Sequence, residues 1–254
     1  MTRTRLIIAA TAVIVAIAVG GFVVYDQVLR GDSAAALALP TASTASSAPA
    51  ASAATGASSA PAASAGTSAA SAGDVAGTWN VAANSVAGYR VREQLANLPA
   101  ESDAVGRTDQ VTGSITLETS GTATTLTAGS LSVDMTTLAS DKTMRDNRLR
   151  REGLETDAFP TATFTLTAPV DVPAAALTGT PSDITLSGDL TVHGVTKSVQ
   201  IPAKAQLVDG TIQVAGSLTF PLSDYAIVAP NVGGFIVSIA DTGTLEFLVN
   251  FAKG

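Results

Sequence analysis

Chemistry needs side chains that take a charge, a proton or a metal, and this 254-residue chain keeps few of them in suggestive company. His193 is the only histidine, and there is no cysteine. Thiolate and multi-histidine metal sites, a cysteine nucleophile and disulfides are therefore excluded, and no metal or cofactor is expected. No Gly-x-Ser-x-Gly elbow accompanies His193, and no two carboxylates stand out as an acid–base couple. The chain does not read as an enzyme. His193 precedes Gly194 between two alternating runs, where it is either a structural turn residue or a hydrogen-bonding group at the rim of a site.

The densest charge lies elsewhere. Lys142, Arg145, Arg148, Arg150 and Arg151 put five cations into ten residues of a chain whose net charge is −7. Guanidinium binds phosphate and carboxylate through two parallel hydrogen bonds. Arg145 and Arg148, with Asp146 between them, thus suit a polar head group or the ion pairs of a solvated helix. Tyr225, after Asp224, is either packed core or a lining residue with a polar tip. The acidic balance makes nucleic acid an unsuitable partner.

The elements that must position these residues are strands. Across residues 183–201, Ile184, Leu186, Leu190 and Val192 share one face, with Gly188 leaving a gap, and Val199 and Ile201 share another. Ala203, Ala205 and Leu207 carry the second face onward. A period of two marks half-buried strands, and His193-Gly194 is a hairpin turn because glycine tolerates positive φ. Similar strands are predicted at residues 78–82, 86–94, 110–118, 126–135, 161–168, 211–221 and 243–251, with a turn at Asp209-Gly210. Residues 95–107 read as loop or brief helix. Residues 140–152 break the pattern and predict a short helix over the sheet, started by Ser140 or Asp141 and ended by Gly153. Its i,i+4 pairs are Asp141/Arg145 and Asp146/Arg150. Many short alternating strands indicate an all-β barrel or sandwich.

The string Gly188-Asp-Leu-Thr-Val-His-Gly-Val-Thr-Lys-Ser-Val199 closely resembles the signature of the YceI-like family, lipocalin-like barrels that bind polyisoprenoids. Trp79-Asn-Val with Ser85, Gly113-Ser-Ile-Thr, Arg145-Asp-Asn-Arg-Leu149, Phe159-Pro160 and Thr163-Phe164 follow the same family order, over about residues 77–251. The resemblance implies an antiparallel barrel of about eight strands, a size that is either plugged by side chains or holds one small ligand. It also implies a long isoprenoid, a quinone or polyprenyl derivative, as the ligand. The expected lining is Trp79, Tyr89, Val91, Phe164, Leu166, Leu190, Val192, His193, Val199, Ile201, Leu218, Phe220, Tyr225 and Phe247. Arg145, Asp146 and Arg148 are expected at the head group or fixing the helix. The rival reading is a packed barrel that docks other envelope components.

The N-terminal third adds an address. Residues 6–25 form an uncharged apolar run after Arg3 and Arg5, long enough to cross about 30 Å of hydrocarbon. The basic flank keeps the N-terminus cytoplasmic and the rest outside. A cleaved signal peptide is the alternative, since Ala34-Ala-Ala-Leu-Ala38 offers small-residue cleavage sites. From residue 33 to 73 the chain is Ala, Ser, Thr, Pro and Gly with scattered leucines and no charge, which reads as a disordered tether spanning about 35 Å. The expected domains are an anchor at 1–30, a linker at 31–73 and a barrel at 74–254.

Overall fold

The alternating runs form eleven antiparallel strands in one sheet of the computed structural model, which describes residues 33–40, 75–95, 101–229 and 236–254. In chain order the strands begin with β1 (Gly77–Val81), β2 (Val86–Leu95), β3 (Ser102–Thr108), β4 (Val111–Ser120) and β5 (Ala123–Asp134). They continue with β6 (Thr161–Leu166), β7 (Val170–Val172), β8 (Ser182–Val192), β9 (Val195–Val208), β10 (Thr211–Pro221) and β11 (Ile236–Lys253). The predicted membrane anchor and most of the linker lie outside the described residues.

Eight strands close the barrel in the order β1-β4-β5-β6-β8-β9-β10-β11, with β11 returning to β1 through Trp79↔Lys253 and Val81↔Phe251. The length of β11 explains the other two large strands. Its last residues pair with β1, whereas Ile236–Leu248 pairs with β2, which in turn pairs with β3. Thus β1 and β2 follow one another along the same edge of β11. Their corner is fastened by Asn250, whose Nδ2 donates to the Asn84 carbonyl at 2.8 Å, and by Ser85, whose Oγ accepts from Asn250 N at 3.0 Å. The free edge of β3 is met by one bridge, Arg107↔Ala139. Closure leaves few strand edges able to pair with another chain.

Local chemistry sets the turns. His193 and Gly194 both have positive φ, 51° and 73°, and join β8 to β9 as a two-residue hairpin. Asp209 and Gly210 repeat this between β9 and β10, with φ of 49° and 72°. Positive φ at both central residues matches the twist of the flanking strands.

Three expectations change. Residues 102–107, expected as loop or brief helix, are strand: β2 runs through Leu95 and β3 starts at Ser102, while residues 96–100 lie outside the described residues. The inward residues of β3 are Ala104, Gly106 and Thr108, too small or polar to register as an apolar alternation. The helix is shorter than predicted: α1 spans Thr143–Arg148 and passes into a π turn at Leu149–Gly153. Neither predicted residue caps it, because the cap position falls on Lys142 without a side-chain bond. Finally, the tether does not begin at residue 33, since residues 33–40 are laid on the barrel wall, with Leu39 9% exposed.

Candidate functional site: the barrel lumen and its rim

Register places one face of every barrel strand inside, and the buried apolar residues form two stacked clusters. The lower one includes Val75, Trp79, Ile115, Leu126, Ile201, Val214, Phe247 and Phe251. Trp79 belongs to this end: its indole N–H donates to the Val75 carbonyl at 2.9 Å and it is 3% exposed. A small apolar cavity, about 30 Å³, remains here among Ile115, Leu126, Leu177, Ala205, Ile212 and Val214. The upper cluster joins Leu190, Val192, Ala162 and Tyr225, with Phe220 packed against it. Phe164, Val199, Leu218 and Leu245 touch both clusters, yet these inward-facing side chains stay only half-buried, as does Leu166.

Glycines on the inner wall make room for aromatic rings. A Cβ on Gly188 would stand 2.4 Å from the Phe164 ring, one on Gly106 2.2 Å from the Tyr89 ring, and one on Gly216 2.8 Å from the Phe247 ring. Each aromatic lies against the wall where a neighbouring strand has no side chain. The gap predicted at Gly188 is the bed of Phe164.

The rim is polar and built across elements. Ala87, Tyr89, Val91 and Glu93 share the inner parity of β2. Glu93 is 4% exposed and receives Arg145 Nη2 from α1 at 2.5 Å. Arg145 Nη1 also donates to Asp141 at 2.6 Å. Burial lowers the affinity of this guanidinium for its proton, but Glu93 and Asp141 more than reverse that, so its pKa is raised. Burial likewise pushes the Asp141 carboxyl up, and the hydrogen bonds and charges of Arg145 and Lys142 together hold it below its ordinary value. Asp146, 8% exposed, accepts from Ser140 Oγ at 2.6 Å and from Ser140 N at 3.1 Å. The Arg145–Asp146 pair thus fastens α1 to β2 and to the segment before it. The predicted Asp146/Arg150 pair is replaced: Arg150 donates to the Leu138 carbonyl at 3.0 Å. Arg148 turns outward to Glu152 at 3.3 Å. Beside this cluster the Tyr89 hydroxyl is buried with no hydrogen-bond partner among the described residues, and burial raises its pKa despite the Arg145 charge.

His193 closes the same end. Its Nδ1 lies 3.0 Å from the Tyr225 carbonyl and its Nε2 3.0 Å from Glu155 Oε2. Phe159 packs edge-on against the ring, with centroids 4.5 Å apart. Both nitrogens are engaged by protein, so the ring ties the hairpin to two neighbouring segments. Tyr225 is 1% exposed and edge-on to Phe220 at 4.8 Å; its buried hydroxyl also lacks a partner among the described residues, and burial, with Asp224, raises its pKa.

The structure therefore gathers Leu190, Val192, Phe220 and Tyr225 at the upper end and Trp79, Ile201 and Phe247 in the lower cluster, with Leu166 packed against the lower cluster and Phe164, Val199 and Leu218 against both. Tyr89 and Val91 lie on the wall beside the polar rim. Sequence reading missed Glu93, Leu245 and Lys197. All were signalled by parity: Lys197 shares the inner parity of Val199 on β9 and reaches Asp224 at 2.9 Å. Among the described residues no group of acids and histidine is placed to hold a metal.

Two solved structures share the fold. A polyisoprenoid-binding domain from Saccharophagus degradans, implicated in plant cell wall breakdown, is 21% identical with a TM-score of 0.54, covering 70% of this chain and 99% of that one. Burkholderia cenocepacia BcnA is 19% identical with a TM-score of 0.51, covering 67% of this chain and 98% of that one. No curated protein matches the sequence. The YceI-like domain model matches residues 79–251, the span of the closed barrel and its rim, and the chain belongs to the YceI-like family.

Proposed function

We propose that the chain is a non-catalytic carrier that holds a long isoprenoid, a quinone or a polyprenyl derivative, in the barrel lumen, displayed outside a membrane by residues 6–25. The observation that carries this reading is the half-buried state of Phe164, Leu166, Val199, Leu218 and Leu245, apolar side chains that face the lumen against the two clusters. The fold shared with a polyisoprenoid-binding domain supports it. Each CH₂ moved from water to such a wall is worth about 0.8 kcal/mol, so one isoprene unit outweighs a rim hydrogen bond of about 1 kcal/mol. Affinity then resides in the wall, and the rim chooses the head.

The rim favours an uncharged head that accepts a hydrogen bond. Arg145 is already matched by Glu93 and Asp141, with Asp146 close by, so a pyrophosphate would meet surplus negative charge. The unpartnered Tyr89 hydroxyl suits a carbonyl oxygen instead. Lipid extraction and mass spectrometry of the purified protein should find a prenyl chain. Empty protein that also fails to take up a prenyl quinone from vesicles would end the carrier reading, and preferential uptake of prenyl pyrophosphate would overturn the assignment of the head.

A further inference from the structure

The outer wall carries a second built site, and its occupant is the chain itself. Residues 33–40 run along the outer face of β11, β2 and β3. Ser33 Oγ bonds the Asp103 main chain in both directions, at 3.1 and 3.2 Å. Arg90 Nη2 donates to the Ala34 carbonyl at 2.7 Å, and Arg107 Nη2 donates to the Ala35 carbonyl. The Leu37 amide donates to Glu246 Oε2 at 2.8 Å.

This wall is shaped for that contact. Glu246, Gly88 and Arg107 are cross-strand neighbours in register, and a Cβ on Gly88 would stand 2.9 Å from the Arg107 stem. The missing side chain lets Arg107 lie across β2 towards Glu246, 3.8 Å away, while Arg90 reaches the same carboxylate at 3.2 Å. Glu246 is 2% exposed although it points away from the lumen. A buried carboxylate is costly unless paired and hydrogen-bonded, and Leu37 completes its set. Two guanidiniums reading successive carbonyls, with a carboxylate reading an amide, recognise an extended backbone.

The direction of the segment gives it a consequence. Asp103 lies at the end of the wall next to the β2–β3 connection and α1, and Glu246 lies further down. The chain therefore enters at the rim and descends. Only residues 26–32 separate the apolar run from Ser33, at most about 25 Å when fully extended. We infer that residues 33–40 are a strap that holds the rim of the lumen facing the membrane. With the strap released, the barrel would lose that orientation. The contacts of residues 33–40 are independent of the proposed function; the membrane-facing orientation rests on residues 6–25 crossing a membrane, and its purpose, presenting the mouth to membrane lipid, rests on the carrier reading.

The test uses the full chain in nanodiscs containing nitroxide-headed lipid. The absence of cysteine permits single fluorophores at Val228→Cys, an exposed rim position, and at Thr122→Cys in the β4–β5 turn at the opposite end. The expected result is a Leu37 amide protected from hydrogen exchange and stronger quenching at position 228 than at 122. In Leu37→Pro/Leu39→Ser the protection nearby should be lost and the two quenching values should converge. These changes lie outside the barrel strands, so an unchanged far-ultraviolet circular dichroism spectrum certifies the fold, with a modest fall in thermal midpoint expected from the lost Glu246 contact. An unprotected Leu37 amide, equal quenching in the parent chain, or failure to enter nanodiscs would overturn the strap. Protein that carries no prenyl lipid yet shows the protection and unequal quenching would sink the carrier reading alone.

Discussion

At the scale of residues, the inner wall depends on what is missing from it. Gly106 has no side chain where the Tyr89 ring lies, and all three nearest contacts of a new Cβ are Tyr89 atoms. Gly106→Ala is expected to cost about 1–3 kcal/mol through overpacking, measured by urea unfolding. In the Tyr89→Ala background the same change should cost far less, a coupling that a double-mutant cycle reads directly. Asp141 offers a pH signature. Its folded pKa lies below the ordinary 3.8, so its stabilisation is present above that value and fades as pH falls through the lowered one. Asp141→Asn should therefore lower the thermal midpoint at pH 7, and the difference should shrink in acid.

Elements matter where one depends on another. A helix of six residues cannot stand alone, and α1 is held by what its side chains reach. Arg145→Ala would leave Glu93 buried, charged and unpaired, at a cost of about 3–5 kcal/mol. Arg148→Ala removes an exposed pair with Glu152 and should change stability by no more than about 0.5 kcal/mol. Comparing the two unfolding curves tests whether this arginine-rich stretch is a fastening or a solvated face. A large loss at both positions would contradict the assignment.

For the whole molecule, the question is what the lumen holds. Leu218 is half-buried and touches both apolar clusters, so a larger side chain there would project into the lumen. Leu218→Trp should reduce co-purified prenyl lipid several-fold while far-ultraviolet circular dichroism stays unchanged. Thr219→Trp, one residue along β10 on the outward parity, should leave lipid content as it was. Equal lipid in both variants would place the ligand elsewhere.

Alternation with a period of two, and glycine after His193 and Asp209, determined the strands, their inward faces and the hairpins, because side-chain direction and positive φ are local properties. The order of motifs around Gly188–Val199 added the barrel. Tertiary structure alone decided the rest. The β3 strand was hidden because Ala104, Gly106 and Thr108 become an inner face only beside Tyr89 and Val91. Glu93 became a rim residue only when α1 brought Arg145 to it across 52 positions of chain. Residues 33–40 look featureless because their recognition uses main-chain groups, which every sequence possesses; what selects them is the set of Arg90, Arg107 and Glu246, assembled from three strands.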